Sequence, residues 1–303
     1  MSSNDFVERL VAAQRARQTI AVLGVDPQLD TANAPGIPPA YTLTRFCCEI
    51  VEACAPYVLA VKPQLAFFEA RGLDGMRAFA EVIRLARSLG LVVIADAKRG
   101  DIGSTSAAYA EAFLGDGDFG CDAITVNPYL GSDALAPFVA KAREGRGVFV
   151  LVKTSNPSSG EFQDRPAPEE PLWEAVARRV HGWASDYIGS HDLTPIGAVV
   201  GATYPDHARH ARDLMPNSVI LVPGYGAQGA NASGAIAGIR NDGVGVIVNA
   251  SRSLMYAWRK REGLSPAAAA AEAADQMRCE LNDAITTAQP KAFRVVERAI
   301  DQS

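Results

Sequence analysis

No stretch of the sequence approaches 18 uninterrupted apolar residues, so a membrane-spanning helix is excluded. Cysteine is scarce: Cys47, Cys48, Cys54, Cys121 and Cys279 are five, an odd number with no C-x-x-C pair. The four histidines show no metal-ligand spacing. Neither a disulfide framework nor a metal site is therefore expected, and the thiols read as small buried hydrophobes, with a catalytic thiol as the lesser alternative. Basic charge is neither in excess nor clustered: 29 Lys and Arg stand against 34 Asp and Glu, giving −5. Duplex nucleic acid and anionic membrane are thus poor partners. No G-x-G-x-x-G follows the first apolar run, where a dinucleotide fold would carry it. That run, Thr19 to Val25, is too short for a signal peptide and follows the charged residues Asp5, Glu8, Arg9, Arg15 and Arg17. A cytoplasmic location is the expectation.

What the chain does have is 303 residues, 48% of them apolar and 21% charged, enough to bury a large core without a covalent staple. Eight short apolar, β-branched runs recur along it: Ile20–Gly24, Val58–Val61, Leu91–Ala95, Ala123–Val126, Val148–Val152, Ile196–Val200, Val219–Val222 and Val244–Val248. Near-continuous apolar strands suit a parallel sheet covered on both faces. Between them lie helix-like stretches. Leu73–Leu89 has helical apolar spacing and stops at Gly90, a segment capped by Ser132 or Asp133 runs to Lys141, and another helix spans Glu170 to Tyr187. Eight alternating units predict an α/β protein, a (β/α)₈ TIM barrel, with a doubly wound open sheet as runner-up. The expectation is one barrel domain over residues 1–303, with an Ala-rich helical extension from about residue 266 that packs on the barrel exterior or on a partner.

Charged and polar residues gather where the runs end, the place a barrel builds its site. Asp96-Ala97-Lys98-Arg99-Gly100-Asp101 follows the third run. Asp96 and Lys98, two apart on an extended strand end, project to one face. Charges at a barrel mouth must pair with each other or with a ligand, so the choice is a structural rim pair or a site. Lys62 ends the second run and admits three readings: a Schiff-base nucleophile, a proton donor, or a carboxylate's partner. Pairing fits best with Asp96 and Asp101 near, and Asp26 ends the first run. Pro223-Gly224-Tyr225-Gly226-Ala227-Gln228-Gly229 and Asn249-Ala250-Ser251-Arg252-Ser253 end the last two runs. Their glycines and Arg252 suit an anion, since barrels often hold phosphate there. Lys153-Thr154-Ser155-Asn156 after the fifth run offers donors and acceptors for a heterocycle edge, and Gly160–Pro171 is long enough for a lid. Asn127 after the fourth run takes no assigned role.

Taken together, the motifs from about Ala21 to Tyr256 resemble the orotidine 5′-phosphate decarboxylase family, specifically its longer bacterial branch (type 2). The resemblance rests on Gly24-Val25-Asp26-Pro27, Val61-Lys62-Pro63-Gln64, the D-x-K-x-x-D-I run at Asp96–Ile102 with Gly103-Ser104-Thr105, and the last two loops. It implies a barrel homodimer with shared active sites that converts orotidine 5′-phosphate to uridine 5′-phosphate and CO₂ without metal or organic cofactor. It further implies that Lys62, Asp96, Lys98 and Asp101 form a charged catalytic set, with Asp101 and Thr105 reaching the neighbouring subunit's site. By the same resemblance Asp26 and Lys62 contact ribose hydroxyls, Ser155 reads the pyrimidine, and Gln228 and Arg252 bind phosphate beside Gly226 and Ser251. Ser251 departs from the pattern, many shorter members having glycine before this arginine. The rivals are a metal-dependent sugar-phosphate aldolase or decarboxylase of the same superfamily, which carries an acidic metal ligand where Lys62 stands, and a non-catalytic nucleotide-binding barrel.

Overall fold

A computed structural model describes residues 5–30, 36–201, 205–226 and 231–289. Eight parallel strands close into a barrel in the order of the sequence. A leading helix α1 (Phe6–Arg17) precedes β1 (Ala21–Val25), and α2 (Leu43–Cys54) leads to β2 (Ala60–Pro63). Two helices, α3 (Leu65–Glu69) and α4 (Gly72–Ser88), precede β3 (Val92–Arg99); α5 (Gly103–Leu114), β4 (Ala123–Val126), α6 (Ser132–Ala140) and β5 (Gly147–Lys153) follow. The second half runs α7 (Leu172–Ala184), β6 (Thr194–Val200), α8 (Pro205–Leu214), β7 (Ser218–Pro223), α9 (Ala232–Ala235), β8 (Val246–Ala250), α10 (Arg252–Met255) and α11 (Pro266–Ala288). No helix among the described residues is long and apolar enough to cross a membrane.

The elements follow from their side chains. β1, β2, β4 and β8 are buried at every position, as strands covered by helices outside and packed side chains inside must be. In α4 the buried residues Gly75, Ala78, Phe79, Val82, Ile83 and Ala86 recur every three or four positions, one face of a helix. Gly90 takes φ +68° just beyond its end, a left-handed turn that glycine adopts without steric penalty. The helix expected from Glu170 begins at Leu172, because Pro171 stands at its N-cap with φ −57° and ψ 143°, outside the helix. The expected cap at Ser132 or Asp133 is instead Gly131 at φ +92°, which turns the chain into α6 with no side-chain cap.

The N-terminal ends of the strands are closed by α1. Asp5 caps it, accepting from the Val7 and Glu8 amides at 2.9 and 3.1 Å. Phe6, fully buried, meets Phe149 edge-on at 5.9 Å between ring centres. Gly147 and Gly197 leave the room: a Cβ on either would lie 2.8–2.9 Å from one of these rings. Arg9 reaches Asp122 at 2.6 Å, and Asp122 in turn accepts from the Val93 amide. At the same end the half-buried Arg212 donates from its guanidinium to the carbonyls of Met215, Ser218, Gly238 and Gly245 at 2.6–2.9 Å, tying α8 to the starts of β7 and β8. Burial pushes it down to about 10.

Two departures from the sequence reading bear on the site. The strands run on into the polar residues: β3 reaches Arg99 and β8 reaches Ala250, so Asp96, Lys98 and Asn249 are strand residues. The register of β3 against β4 also breaks, Ala95 pairing with Ile124 and Arg99 with Val126. Asp96, Ala97 and Lys98 thus face the single residue Thr125, a bulge in β3. The Ala-rich segment is α11, whose buried face (Ala270, Ala274, Met277, Leu281 and Ile285 among others) packs on the barrel exterior against α2.

Candidate active site

A cavity of about 480 Å³ opens at the C-terminal ends of the strands. Its walls bring together Asp26, Lys62, Asp96, Lys98, Ser155, Ser251 and Arg252, seven of the residues singled out in the sequence. Gln64, Thr125, Thr154, Asn156, Tyr225 and Asn249 join them.

The charged centre is built on Asp96. Its Oδ2 accepts from the Lys62 ammonium and from Gln64 Nε2 at 2.9 Å; its Oδ1 accepts from Lys98 Nζ at 2.5 Å and Thr125 Oγ1 at 3.0 Å. Each carboxylate oxygen therefore holds one ammonium and one neutral donor. The two-apart spacing does bring Asp96 and Lys98 together, but not by simple strand alternation. Lys98 sits in the bulge at φ +47°, a left-handed conformation that costs a non-glycine residue roughly 1–2 kcal/mol. Such strain persists where the surroundings over-determine it. The result is a division of labour. The Lys62 and Asp96 side chains are 5% and 7% exposed, whereas Lys98 is 45% exposed and can be reached by a ligand.

Burial alone would raise the Asp96 carboxyl, but the ammonium groups of Lys62 and Lys98 and their hydrogen bonds outweigh it and hold it far below the usual range. Burial opposes charge on Lys62 too, yet Asp96 and Asp26 raise it above the ordinary lysine value. Asp26 goes the other way: burial raises it, and the attraction of Lys62 and a hydrogen bond to Ser251 only partly offset this. Its Oδ1 has no hydrogen-bond partner among the described residues, nor has Asn249 Oδ1. Two buried acceptors thus line the cavity in want of donors.

At the strand 7 and 8 side, the Arg252 side chain lines the cavity with no ion pair or hydrogen bond to a described residue, unlike those of Lys62 and Lys98. Gly224 and Tyr225 line the same end, and Gly226 follows at φ +75° with its Cα facing Ser253. The Tyr225 hydroxyl donates to Glu280 of α11. Gln228 lies outside the described residues. Ser251 is seated by Gly24, since a Cβ there would lie 1.9 Å from Ser251 Oγ. Asn249 Nδ2 donates to that same Oγ at 3.2 Å.

The wall after β5 carries Thr154, Ser155 and Asn156. Gly201 makes room for it, a Cβ there falling 2.8 Å from that of Ser155. The segment read as a lid is tied to this wall. Gln163 accepts from the Thr154 amide at 2.9 Å and donates to its hydroxyl at 2.8 Å, while buried Lys153 pairs with Asp164. Asn127 caps the short turn after β4, accepting from the Tyr129 amide.

Asp101 and Thr105 are not in this cavity. Asp101 accepts from the Ile102 amide at 2.7 Å beside α5, and Thr105 is exposed on the first turn of that helix. Exposed Ile102, Tyr129 and Leu130 belong to the same two strand-end loops. None of the five cysteines lines the cavity, and burial pushes the thiols of Cys47, Cys54 and Cys121 up, away from reactivity.

Gln64, Thr125 and Asn249 were not singled out as site residues. Thr125 belongs to an apolar strand, where threonine passes for a β-branched filler. Gln64 and Asn249 stood inside quoted motifs, beside Pro63 and two residues before Ser251.

Orotidine 5′-phosphate decarboxylases of Rhodopirellula baltica and Deinococcus radiodurans are each 43% identical to the chain, over 87% and 92% of it and over 92% and 98% of their own lengths. Among solved structures, a putative orotidine 5′-phosphate decarboxylase from Streptomyces avermitilis superposes with a TM-score of 0.79 at 36% identity, covering 94% of this chain and 98% of that one. Residues 29–265 match the family model described as orotidine 5′-phosphate decarboxylase / HUMPS. The chain belongs to the orotidine 5′-phosphate decarboxylase / HUMPS family.

Proposed function

We propose that the protein is a carboxy-lyase that converts orotidine 5′-phosphate to uridine 5′-phosphate and CO₂, the step that forms UMP in pyrimidine synthesis, using no metal or organic cofactor. The observation that carries this is the array Lys62–Asp96–Lys98, with its outer ammonium half-exposed in the cavity. Loss of CO₂ from pyrimidine C6 leaves an electron pair that the ring does not delocalise well, so stabilisation must come from charge already in place. The C6–carboxylate bond breaks, the pair stays on C6, and CO₂ departs uncharged. A proton from the Lys98 ammonium then forms the C6–H bond, and the amine regains a proton from solvent. Asp96 orients Lys98 and sets negative charge beside the substrate carboxylate, a repulsion relieved as CO₂ leaves.

The remaining roles follow the cavity's two ends. Asp26 and Lys62 meet the ribose hydroxyls, the partnerless Asp26 Oδ1 being an acceptor for one of them. Ser155 reads the pyrimidine edge. Arg252, which meets no carboxylate among the described residues, takes the phosphate with Gln228 and the backbone at Gly226 and Ser251. Binding energy from that remote phosphate can be directed to orienting the ring. Asp101 and Thr105, outside this cavity, are read as completing the site of a second subunit in a homodimer. The protein is read as cytoplasmic, with one barrel domain extended at its C-terminal side by α11.

The test is direct. Purified protein is incubated with orotidine 5′-phosphate and excess EDTA, and the orotate absorbance is followed. Fast loss with EDTA present supports the reading, whereas loss abolished by EDTA and restored by a divalent cation would move the protein to the metal-dependent branch, despite Lys62 standing where that branch has an acid. No loss with nucleotide still bound would make it a binding protein.

A further inference from the structure

We propose that Thr125 is a positioning residue of this reaction, its one hydroxyl setting Lys98 and Asp96 relative to each other. The proposal rests on the decarboxylase reading above. Thr125 is 1% exposed, stands on β4, and is the single residue opposite the three-residue bulge Asp96–Lys98. Its Oγ1 donates its proton to Asp96 Oδ1 at 3.0 Å and accepts the Lys98 backbone N–H at 3.0 Å. One atom thus touches the carboxylate that orients the lysine and the backbone from which that lysine springs.

Both contacts answer a specific need. Where the β3–β4 register breaks, the Lys98 amide pairs with this side chain. At this break in the ladder the Lys98 N–H has Thr125 Oγ1 as its acceptor, so the threonine oxygen helps hold Lys98 in its left-handed conformation, which aims its side chain back at Asp96. Asp96 Oδ1 meanwhile shares its lone pairs between Lys98 Nζ and the threonine proton, which limits how the carboxylate can rotate. Lys62 and Gln64 fix the other oxygen. Shape does not require threonine, because valine would fill the same space on a strand. Only the hydroxyl distinguishes them.

The test uses two pairs that differ by that hydroxyl alone: wild type against Thr125→Val, and Thr125→Ser against Thr125→Ala. Each protein is assayed for kcat and KM with orotidine 5′-phosphate and for UMP affinity by titration calorimetry. The expected result is a kcat lower by roughly 10- to 100-fold in the valine and alanine variants, the scale of loss when a reacting group is misplaced by about an ångström. KM and UMP affinity should change little, and serine should restore kcat to within a few-fold of wild type. Thr125→Val with undiminished kcat, or serine no better than alanine, would overturn the proposal. So would loss of UMP binding in both hydroxyl-free variants, which would make the hydroxyl a requirement for folding. A wild-type protein inert towards orotidine 5′-phosphate would instead sink the decarboxylase reading on which the proposal rests.

Discussion

Lys153 and Asp164 form an ion pair at 2.6 Å that fastens the segment after β5 to the strand it leaves. The lysine is 2% exposed and the aspartate 48%, so the charge that cannot reach water is the lysine's. Its only other hydrogen-bond partner among the described residues is Ser159 Oγ at 3.4 Å. Removing Asp164 strands that ammonium, whereas removing Asp164 and Lys153 together does not. Asp164→Ala is expected to lower stability by about 1–3 kcal/mol, discounted for the exposed partner, and Asp164→Ala/Lys153→Met by less. The single variant should also raise KM more than it lowers kcat, because Thr154 to Asn156 wall the cavity. Chemical denaturation and steady-state kinetics check both.

Lys98→Ala is expected to reduce kcat by more than about 10⁴-fold, since it removes both the proton donor and the charge facing the carbanion. UMP should still bind, because Lys62 remains on Asp96 and Arg252 is untouched. Near-normal turnover would rule out the proposed proton source.

Arg252→Ala should lower kcat/KM for orotidine 5′-phosphate by roughly 10- to 100-fold, the worth of a charge-assisted hydrogen bond to phosphate. Activity on orotidine, which lacks the phosphate, should hardly change. Equal losses on the two substrates would place Arg252 elsewhere in the mechanism.

Asp26 is raised by burial, so its ionised form is disfavoured in the folded protein relative to the unfolded chain. A carboxyl raised in this way contributes fully below its unfolded value near 3.8, and that contribution is lost as pH rises through the folded value. At neutral pH the charge is therefore a liability. Asp26→Asn should raise Tm by a degree or more at pH 7, an advantage that vanishes near pH 3, while weakening substrate binding. Thermal scans across pH, paired with KM, read both effects. Asp96 has the opposite sign: its lowered value contributes stability above pH 4 that is lost on acidification, so Asp96→Asn should destabilise at neutral pH.

The barrel was legible because each of its strands is a bounded apolar run, and each charged group of the centre sits at the end of one. Lys62, Asp96 and Lys98 were found for that reason. The bulge was not legible. Nothing in Asp96-Ala97-Lys98 marks a left-handed lysine, because the conformation is imposed by the β4 partner and its hydroxyl, a contact between residues 27 apart. The tie from Glu280 to Tyr225 was hidden for the same reason, the two being 55 positions apart. Asp101 and Thr105 were legible as a motif, but the structure sets both outside the cavity.

Arg212→Lys tests the opposite end of the barrel. An ammonium with three donors cannot serve all the carbonyls that the guanidinium fork meets, so at least one buried acceptor loses its partner. A loss of about 2–4 kcal/mol is expected, with kcat/KM nearly unchanged at 25 °C because the cavity lies at the other face. A parallel fall in activity of the folded protein would contradict this separation of stability from chemistry.

The bond from Tyr225 to Glu280 also has a meaning for synthesis on the ribosome. The chain emerges from its N-terminal side as it is synthesised. Lys62, Asp96, Lys98 and Thr125 are all translated before the middle of the chain, so the chemical half of the site is present early in a nascent polypeptide. Tyr225 waits for a partner 55 codons downstream, on α11, which also ties Asn282 to the Gln18 carbonyl ahead of β1. The end of the cavity assigned to phosphate is therefore the last part to be braced, and a translation product stalled before α11 carries Arg252 and Tyr225 without the Glu280 carboxylate that ties the tyrosine in place.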